Sequence, residues 1–370
     1  MNLQQYLHEN GLQREDILTR IAVSLELDET RKQRMESAYN AVYDILEKDE
    51  VFFSKVDFLV YPQGSKAIGT TVKPRGKEEF DLDITVEIRD PYYNYTSSEI
   101  YNHLIRVLSN NDTYKDKLVK KNRCARIDYV GDFHMDVLPG CIVISGDSKI
   151  MVPDRELSSW TSSNPKGYAN WFTEKAETIS SSNLNKAFRT FSALNEAKAE
   201  QEELPNDDVY SKEPLKRAVQ LTKRYRDIYF EKNPKHKTSS IVLTTIFGEL
   251  YEGESSIYQT IDSILNKIVN YQYLFESQGV YKRIKVLNPV NSNEDFTEKW
   301  DKEKEYYNQF IAFVKSYKEK WEKLKNGNFG VAEELFGSDR IKGILTEQLK
   351  EIAKNEGNQL ESAGATIMSG

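Results

Sequence analysis

The sequence predicts an α+β chain of two lobes, a core of mixed strands followed by a helical lobe. Three observations predict it. Apolar residues alternate from Phe80 to Ile88 and again from Phe133 to Val137, the period of two that marks a half-buried strand. Helical periodicity takes over from about Pro165 onward. A chain of 370 residues also exceeds what one hydrophobic core usually grows to fill.

In chain order, Asp28 to Lys48 reads as an amphipathic helix, with Met35, Tyr39, Val42 and Leu46 recurring at helical spacing. Val56 to Tyr61 reads as a strand ending at Pro62, followed by a turn at Gly64-Ser65. In the next strand Phe80, Leu82, Ile84, Val86 and Ile88 share one face, and Asp81, Asp83, Thr85 and Glu87 share the other. Cys124 to Leu138 reads as a hairpin turning at Gly131-Asp132, with Phe133, Met135 and Val137 inward and His134 and Asp136 opposite. Leu215, Val219 and Ile228 mark the apolar side of a helix on which Lys223 faces away from the core. Ser239 and Ser240 precede a helix start. From Glu298 to Lys325, Trp300, Tyr306, Phe310, Phe313 and Tyr317 form an apolar stripe suited to packing rather than to base stacking. The expected organisation is residues 1–165 as N-terminal helix plus strand core, 166–355 as helical lobe and 356–370 as flexible tail. The acidic stretch Glu196 to Asp208 reads as an exposed connection.

The chemistry concentrates in the strands. Two carboxylates on one strand face, Asp81 and Asp83, repel each other unless a cation sits between them. A third, Asp136, reaches the same spot if its strand lies alongside. Magnesium suits such a set, because it takes hard oxygen ligands together with substrate phosphates. Three carboxylates can hold two ions, one at an attacking and one at a leaving oxygen. Glycine at 64 lets the backbone approach closely, and amide N–H groups with the Ser65 hydroxyl can cradle a triphosphate. Together these features point to transfer of a nucleoside monophosphate from a triphosphate to a hydroxyl.

Composition narrows the field. A net charge of −7 argues against bulk binding of long nucleic acid, although basic clusters occur at Lys115 to Arg123 and Lys216 to Arg226. Cys124 and Cys141 are the only cysteines, and no Cys/His cluster has zinc spacing. The N-terminus lacks a charged and apolar leader, and no stretch has membrane-spanning length without charges, so the expectation is a cytoplasmic protein with no membrane partner.

The motifs Tyr61-Pro-Gln-Gly-Ser-Lys-Ala-Ile-Gly-Thr70, Phe80-Asp-Leu-Asp-Ile84 and His134-Met-Asp-Val-Leu-Pro139 resemble those of the bacterial cGAS-like (CD-NTase) family, the cyclic oligonucleotide synthases of CBASS anti-phage systems. Trp160 to Tyr168, Leu215 to Asp227 and Thr238 to Thr245 are similar to the family's later segments, so the resemblance covers most of residues 35–340. It implies a polymerase-beta-like nucleotidyltransferase core. It places Gln63, Gly64 and Ser65 on the nucleotide, Asp81, Asp83 and Asp136 as catalytic residues on two magnesium ions (manganese able to substitute), and Lys223 and Ser240 on the donor triphosphate. It also implies base contacts in Ser158 to Asn164, with Ser158 and Asn164 the candidates, and purine substrates, ATP or GTP. The zinc-binding insertion by which animal cGAS senses DNA has no counterpart here. Some relatives have their C-terminal residue conjugated by a ubiquitin-conjugation-like enzyme, which makes Gly370 a candidate for such a partner.

The expected function is therefore a cyclic di- or trinucleotide synthase. The alternative from the residues themselves is a non-cyclising nucleotidyltransferase acting on RNA, protein or a small molecule. A degenerate nucleotide sensor or a protein acting through a partner complex are further alternatives. Ring size, linkage and base choice are not written in the motifs.

Overall fold

The computed structural model describes residues 3–76, 78–178, 199–201, 212–276, 279, 282–328, 330–338 and 341–344. The tail 356–370 with Gly370, and all of the Glu196 to Asp208 stretch except 199–201, lie outside them. Among the described residues no helix is long and apolar enough to cross a membrane.

The strands are β1 (Phe58–Gln63), β2 (Phe80–Pro91), β3 (Leu118–Lys120), β4 (Ala125–Tyr129), β5 (Phe133–Ile142), β6 (Ile150–Asp154), β7 (Ser159–Ser163) and β8 (Ala199–Gln201). They form one mixed sheet in the order β3-β4-β5-β2-β1-β8, with β6 and β7 continuing from the end of β5. Neighbours β2 and β5 run parallel, while β1 and β4 pair antiparallel with β2 and β5 respectively. The β4–β5 hairpin turns through Gly131, whose φ of +78° is the left-handed conformation that glycine adopts without strain. β1 does not stop at Pro62: the strand carries through it to Gln63, with Pro62 opposite Ile84. A proline lacks only the ladder donor and accepts extended backbone, so it need not end a strand.

Helices α2 (Glu29–Glu47) and α4 (Ser97–Ser109) cover one face of the sheet. Met35, Tyr39, Val42 and Leu46 of α2 meet Ile100, Leu104 and Leu108 of α4 over Phe58, Val60, Leu82, Ile84 and Val86. The Tyr39 hydroxyl donates to the Val60 carbonyl at 3.0 Å, which locks α2 to β1. The opposite face is not left to solvent along its whole length. Thr85 and Glu87, expected beside the aspartates on the open face, are buried, and Glu87 accepts from the Tyr61 hydroxyl at 2.9 Å.

The helical lobe contains α1 (Leu3–Ser24), α5 (Pro165–Ala176), α6 (Pro214–Tyr229), α7 (Ser240–Leu250), α8 (Ile257–Glu276), α9 (Glu298–Lys302), α10 (Glu305–Lys325) and α11 (Val331–Phe336). Although α1 opens the chain, its Ile17, Leu18, Ile21 and Ala22 pack in this second core with α6, α8 and α10. The helix expected over Glu298 to Lys325 is two helices, broken at Glu303-Lys304. Tyr307, two helical turns after Trp300, joins Phe310, Phe313, Tyr317 and Trp321 in the core, while Tyr306 is half-buried against it. Every residue of α6 from Leu215 to Arg226 is buried. Lys223 consequently does not face solvent as its position opposite the apolar residues suggested. The polar side of α6 is covered by protein, and its charged side chains find protein partners instead of water.

Candidate active site

A cleft of about 670 Å³ lies between the sheet and helices α6 and α7, a size suited to small-molecule ligands. Gly64, Ser65, Asp81 and Asp83 line its sheet side, with Arg126 and His134 beside them. Lys223, Arg226, Lys237 and Ser240 line its helical side.

The parallel register of β2 and β5 sets Asp81 opposite His134 and Asp83 opposite Asp136. This is the juxtaposition that the alternating pattern of the two strands called for. The short helix α3 (Gly64–Ala67) begins directly after β1, whose Gln63 pairs with Asp83. Gly64 has φ +59°, and a Cβ built there would lie 2.5 Å from Asp83 Oδ2, so only glycine fits between turn and carboxylate. Desolvation, then the charges of Asp81 and Asp136, push the Asp83 carboxyl from 3.8 up to about 7.

Arg126 is the main residue that motif reasoning passed over. It sits on β4 opposite Asp136, donating from Nε to Oδ1 at 2.7 Å and from its NH2 nitrogen to Oδ2 at 2.8 Å. The same nitrogen is 3.4 Å from Asp81 Oδ1. Asp136 does not reach the cleft wall itself; Arg126, which holds it, does. A signal for this pairing was present, because a hairpin closed around Gly131 places residue 126 across from 136. His134 stands between Glu79, 2.7 Å from Nε2, and Asp128, 2.9 Å from Nδ1, beside the site.

Among the described residues no three His, Cys, Asp or Glu side chains already converge on one point, since the Arg126 fork engages both Asp136 oxygens. The donor set nevertheless suits a hard divalent cation: three carboxylates on one sheet face, one of them raised by burial and then by its neighbours' charge.

On the helical side, Lys223 donates to the Thr70 carbonyl at 3.2 Å and to Thr70 Oγ1 at 2.8 Å. Burial, and then the charge of Arg226, lower its ammonium to about 7. Ser239 is the N-cap of α7, and the Ser240 hydroxyl accepts from Arg226 at 2.6 Å. Arg226 and Lys237 share Asp227 Oδ1, at 2.6 and 2.8 Å. Three cations thus gather where α7 begins; Arg226 closes the basic cluster Lys216 to Arg226, and Lys237 alone escaped motif reasoning. The spacing of Arg226 three residues after Lys223 places both on one helix face.

Gln63, Ser158 and Asn164 do not line the cleft. Ser158 is in the turn of the β6–β7 hairpin with φ +49°. Asn164 is the N-cap of α5, its side chain accepting from the Gly167 N–H at 3.0 Å, so its oxygen is committed to the helix end. Tyr168, one turn on, does line the cleft.

Residues 13–176 match the family profile described as the Second Messenger Oligonucleotide or Dinucleotide Synthetase domain. The chain is 38% identical over 363 residues to a c-di-GMP synthase of Roseivirga ehrenbergii, an alignment spanning 96% of this chain and 93% of the relative. In structure it is similar to the Bradyrhizobium diazoefficiens CD-NTase CdnG in complex with GTP, with TM-score 0.68 and 18% identity over 92% of this chain and 99% of that one. It is also similar to E. coli MS115-1 CdnC with ATP, with TM-score 0.59 and 14% identity over 88% and 98% of the two chains. With a two-lobed fold, three carboxylates in register and a relative this similar over nearly its full length, the chain belongs to the cGAS/DncV-like nucleotidyltransferases, metal-dependent enzymes that build cyclic oligonucleotides from nucleoside triphosphates.

Proposed function

We propose that the protein condenses two purine nucleoside triphosphates, GTP foremost, into a cyclic dinucleotide that serves as a second messenger in CBASS anti-phage signalling. The observation that carries this reading is the placement of Asp81, Asp83 and Asp136 on one sheet face against the Gly64-Ser65 turn, across a cleft from Lys223, Arg226, Lys237 and Ser240. The c-di-GMP synthase among its relatives supports guanine as a base.

In the reaction, the acceptor ribose hydroxyl attacks the donor α-phosphate, a new P–O bond forms and pyrophosphate departs. A second transfer with the roles exchanged closes the ring. Two magnesium ions, or manganese, held by Asp81, Asp83 and Asp136 would neutralise charge at the attacking and leaving oxygens. The chain's own groups do the positioning. The Ser65 hydroxyl and the neighbouring amides orient the donor phosphates, and Arg226 and Lys237 offset the charge of the departing pyrophosphate. In this reading Asp136 would accept the proton of the acceptor hydroxyl once the Arg126 fork that engages both its oxygens lets go.

Incubating the purified protein with α-³²P-labelled nucleoside triphosphates and magnesium or manganese tests this reading. The expected result is a phosphatase-resistant product that requires GTP and whose mass is that of a cyclic dinucleotide. Asp81→Asn is expected to lower its formation by at least about a hundredfold, the order seen when one charge-stabilising group is removed. A linear, growing or macromolecule-bound product would instead assign the non-cyclising alternative.

A further inference from the structure

Between the phosphate-facing turn and β2 the chain crosses the cleft floor at Thr70 to Pro74. Its carbonyls are taken up one after another by α6. Thr70 accepts from Lys223, Thr71 from Gln220 and Lys73 from Arg224. Of the three donors, Gln220 is fully buried and does not line the cleft.

The Gln220 amide makes two bonds of 2.9 Å from one nitrogen, to the Thr71 carbonyl and to Glu26 Oε1. Glu26 lies in the joint between α1 and α2 and also accepts from Lys212 at 2.7 Å. Beside it, the Leu25 carbonyl accepts the Lys73 N–H at 2.7 Å. On its other side the crossing segment reaches the site. Thr71 Oγ1 is 3.3 Å from Ser65 Oγ, and the Thr70 N–H donates to the Ser65 carbonyl at 2.9 Å. One side chain therefore ties three things together: the helical lobe, the α1–α2 joint and the segment on which Ser65 rests.

We propose that Gln220 is a positioning residue for the donor nucleotide, holding the Thr70-Thr71 segment so that Ser65 presents its hydroxyl at the right place. This rests on the nucleotidyltransferase reading above. The physical reason is that a buried carbonyl left without its donor moves towards another partner. A displacement of this floor by a fraction of an ångström is enough to misalign a phosphate contact. Glu26 keeps Lys212 when the amide is removed, so its charge stays paired.

Gln220→Met keeps the length and removes the donor. Binding of a non-hydrolysable GTP analogue with magnesium is measured by calorimetry, alongside KM, kcat and Tm, in wild type and variant. The expected result is a Kd and KM raised about five- to tenfold with kcat at saturating GTP within about twofold, the pattern of binding lost equally from ground and transition states. An unchanged Kd and KM in a folded variant, or a kcat loss at constant KM, would overturn the inference. Should Gln220→Met not fold, Glu26→Gln removes the charge that anchors the amide while keeping an acceptor. A smaller rise in Kd supports the role, and an unchanged Kd overturns it. A wild type that binds no nucleoside triphosphate would instead remove the nucleotidyltransferase reading itself, a separate outcome from wild-type binding with no effect of the variants.

Discussion

At Asp83 the local environment sets a testable pH response. Its carboxyl is raised from 3.8 to about 7, so the native protein holds a proton that the unfolded chain releases near pH 4. Its contribution to stability is fully present below about pH 4 and is lost as pH rises through about 7. In chelator-treated protein, Asp83→Asn is therefore expected to flatten the dependence of Tm on pH between 4 and 7 and to raise Tm at pH 8; equal slopes would assign the effect to another group. Gly64 carries the second residue-scale prediction. Gly64→Ala forces a left-handed alanine, costing about 1–2 kcal/mol, and sets a Cβ against Asp83 Oδ2. Urea denaturation should show at least that loss, and nucleotide binding should fall with it.

Among the elements, α2 and α10 show how ends and phase decide stability. Asp28 caps α2 by accepting from the Arg31 N–H at 3.0 Å and takes Lys73 at 2.7 Å; these bonds, Lys73 first, hold its carboxyl well below the usual range. Asp28→Ala should destabilise by about 1 kcal/mol through the lost cap alone, read by urea unfolding. In α10 the contrast is between adjacent tyrosines. Tyr307→Ala empties a buried site and should cost about 3–5 kcal/mol, whereas Tyr306→Ala, at a half-buried position, should cost well under half of that. Equal effects would mean that the two tyrosines are packed to the same degree.

On the scale of the whole molecule, two cores meet at the cleft, and α1 crosses from one end of the chain to the far lobe. Removing residues 1–25 takes Ile17, Leu18, Ile21, Ala22 and Leu25 out of the helical core. Such a truncation should lower Tm and expose apolar surface to a dye such as ANS. Protection of the sheet amides in hydrogen exchange should outlast that of α6 and α8, because the sheet core is a separate cluster.

The sequence by itself determined the strand core, the hairpin around Gly131, α2 and the strand face that carries Asp81, Asp83 and Asp136. Each of these rests on short-range periodicity or turn chemistry, which neighbouring residues specify without help from the rest of the chain. What only the tertiary structure decided are the partners. Arg126 on Asp136, Arg226 on Ser240 and Gln220 on Thr71 join residues whose contact depends on strand pairing or lobe packing. The burial of α6 on every side has the same origin. Its charged face looks solvated in isolation, and the Thr70 to Lys73 segment and Glu26, brought from far along the chain, replace the water. Periodicity reports which side of a helix is apolar, but only packing reports what covers the other side.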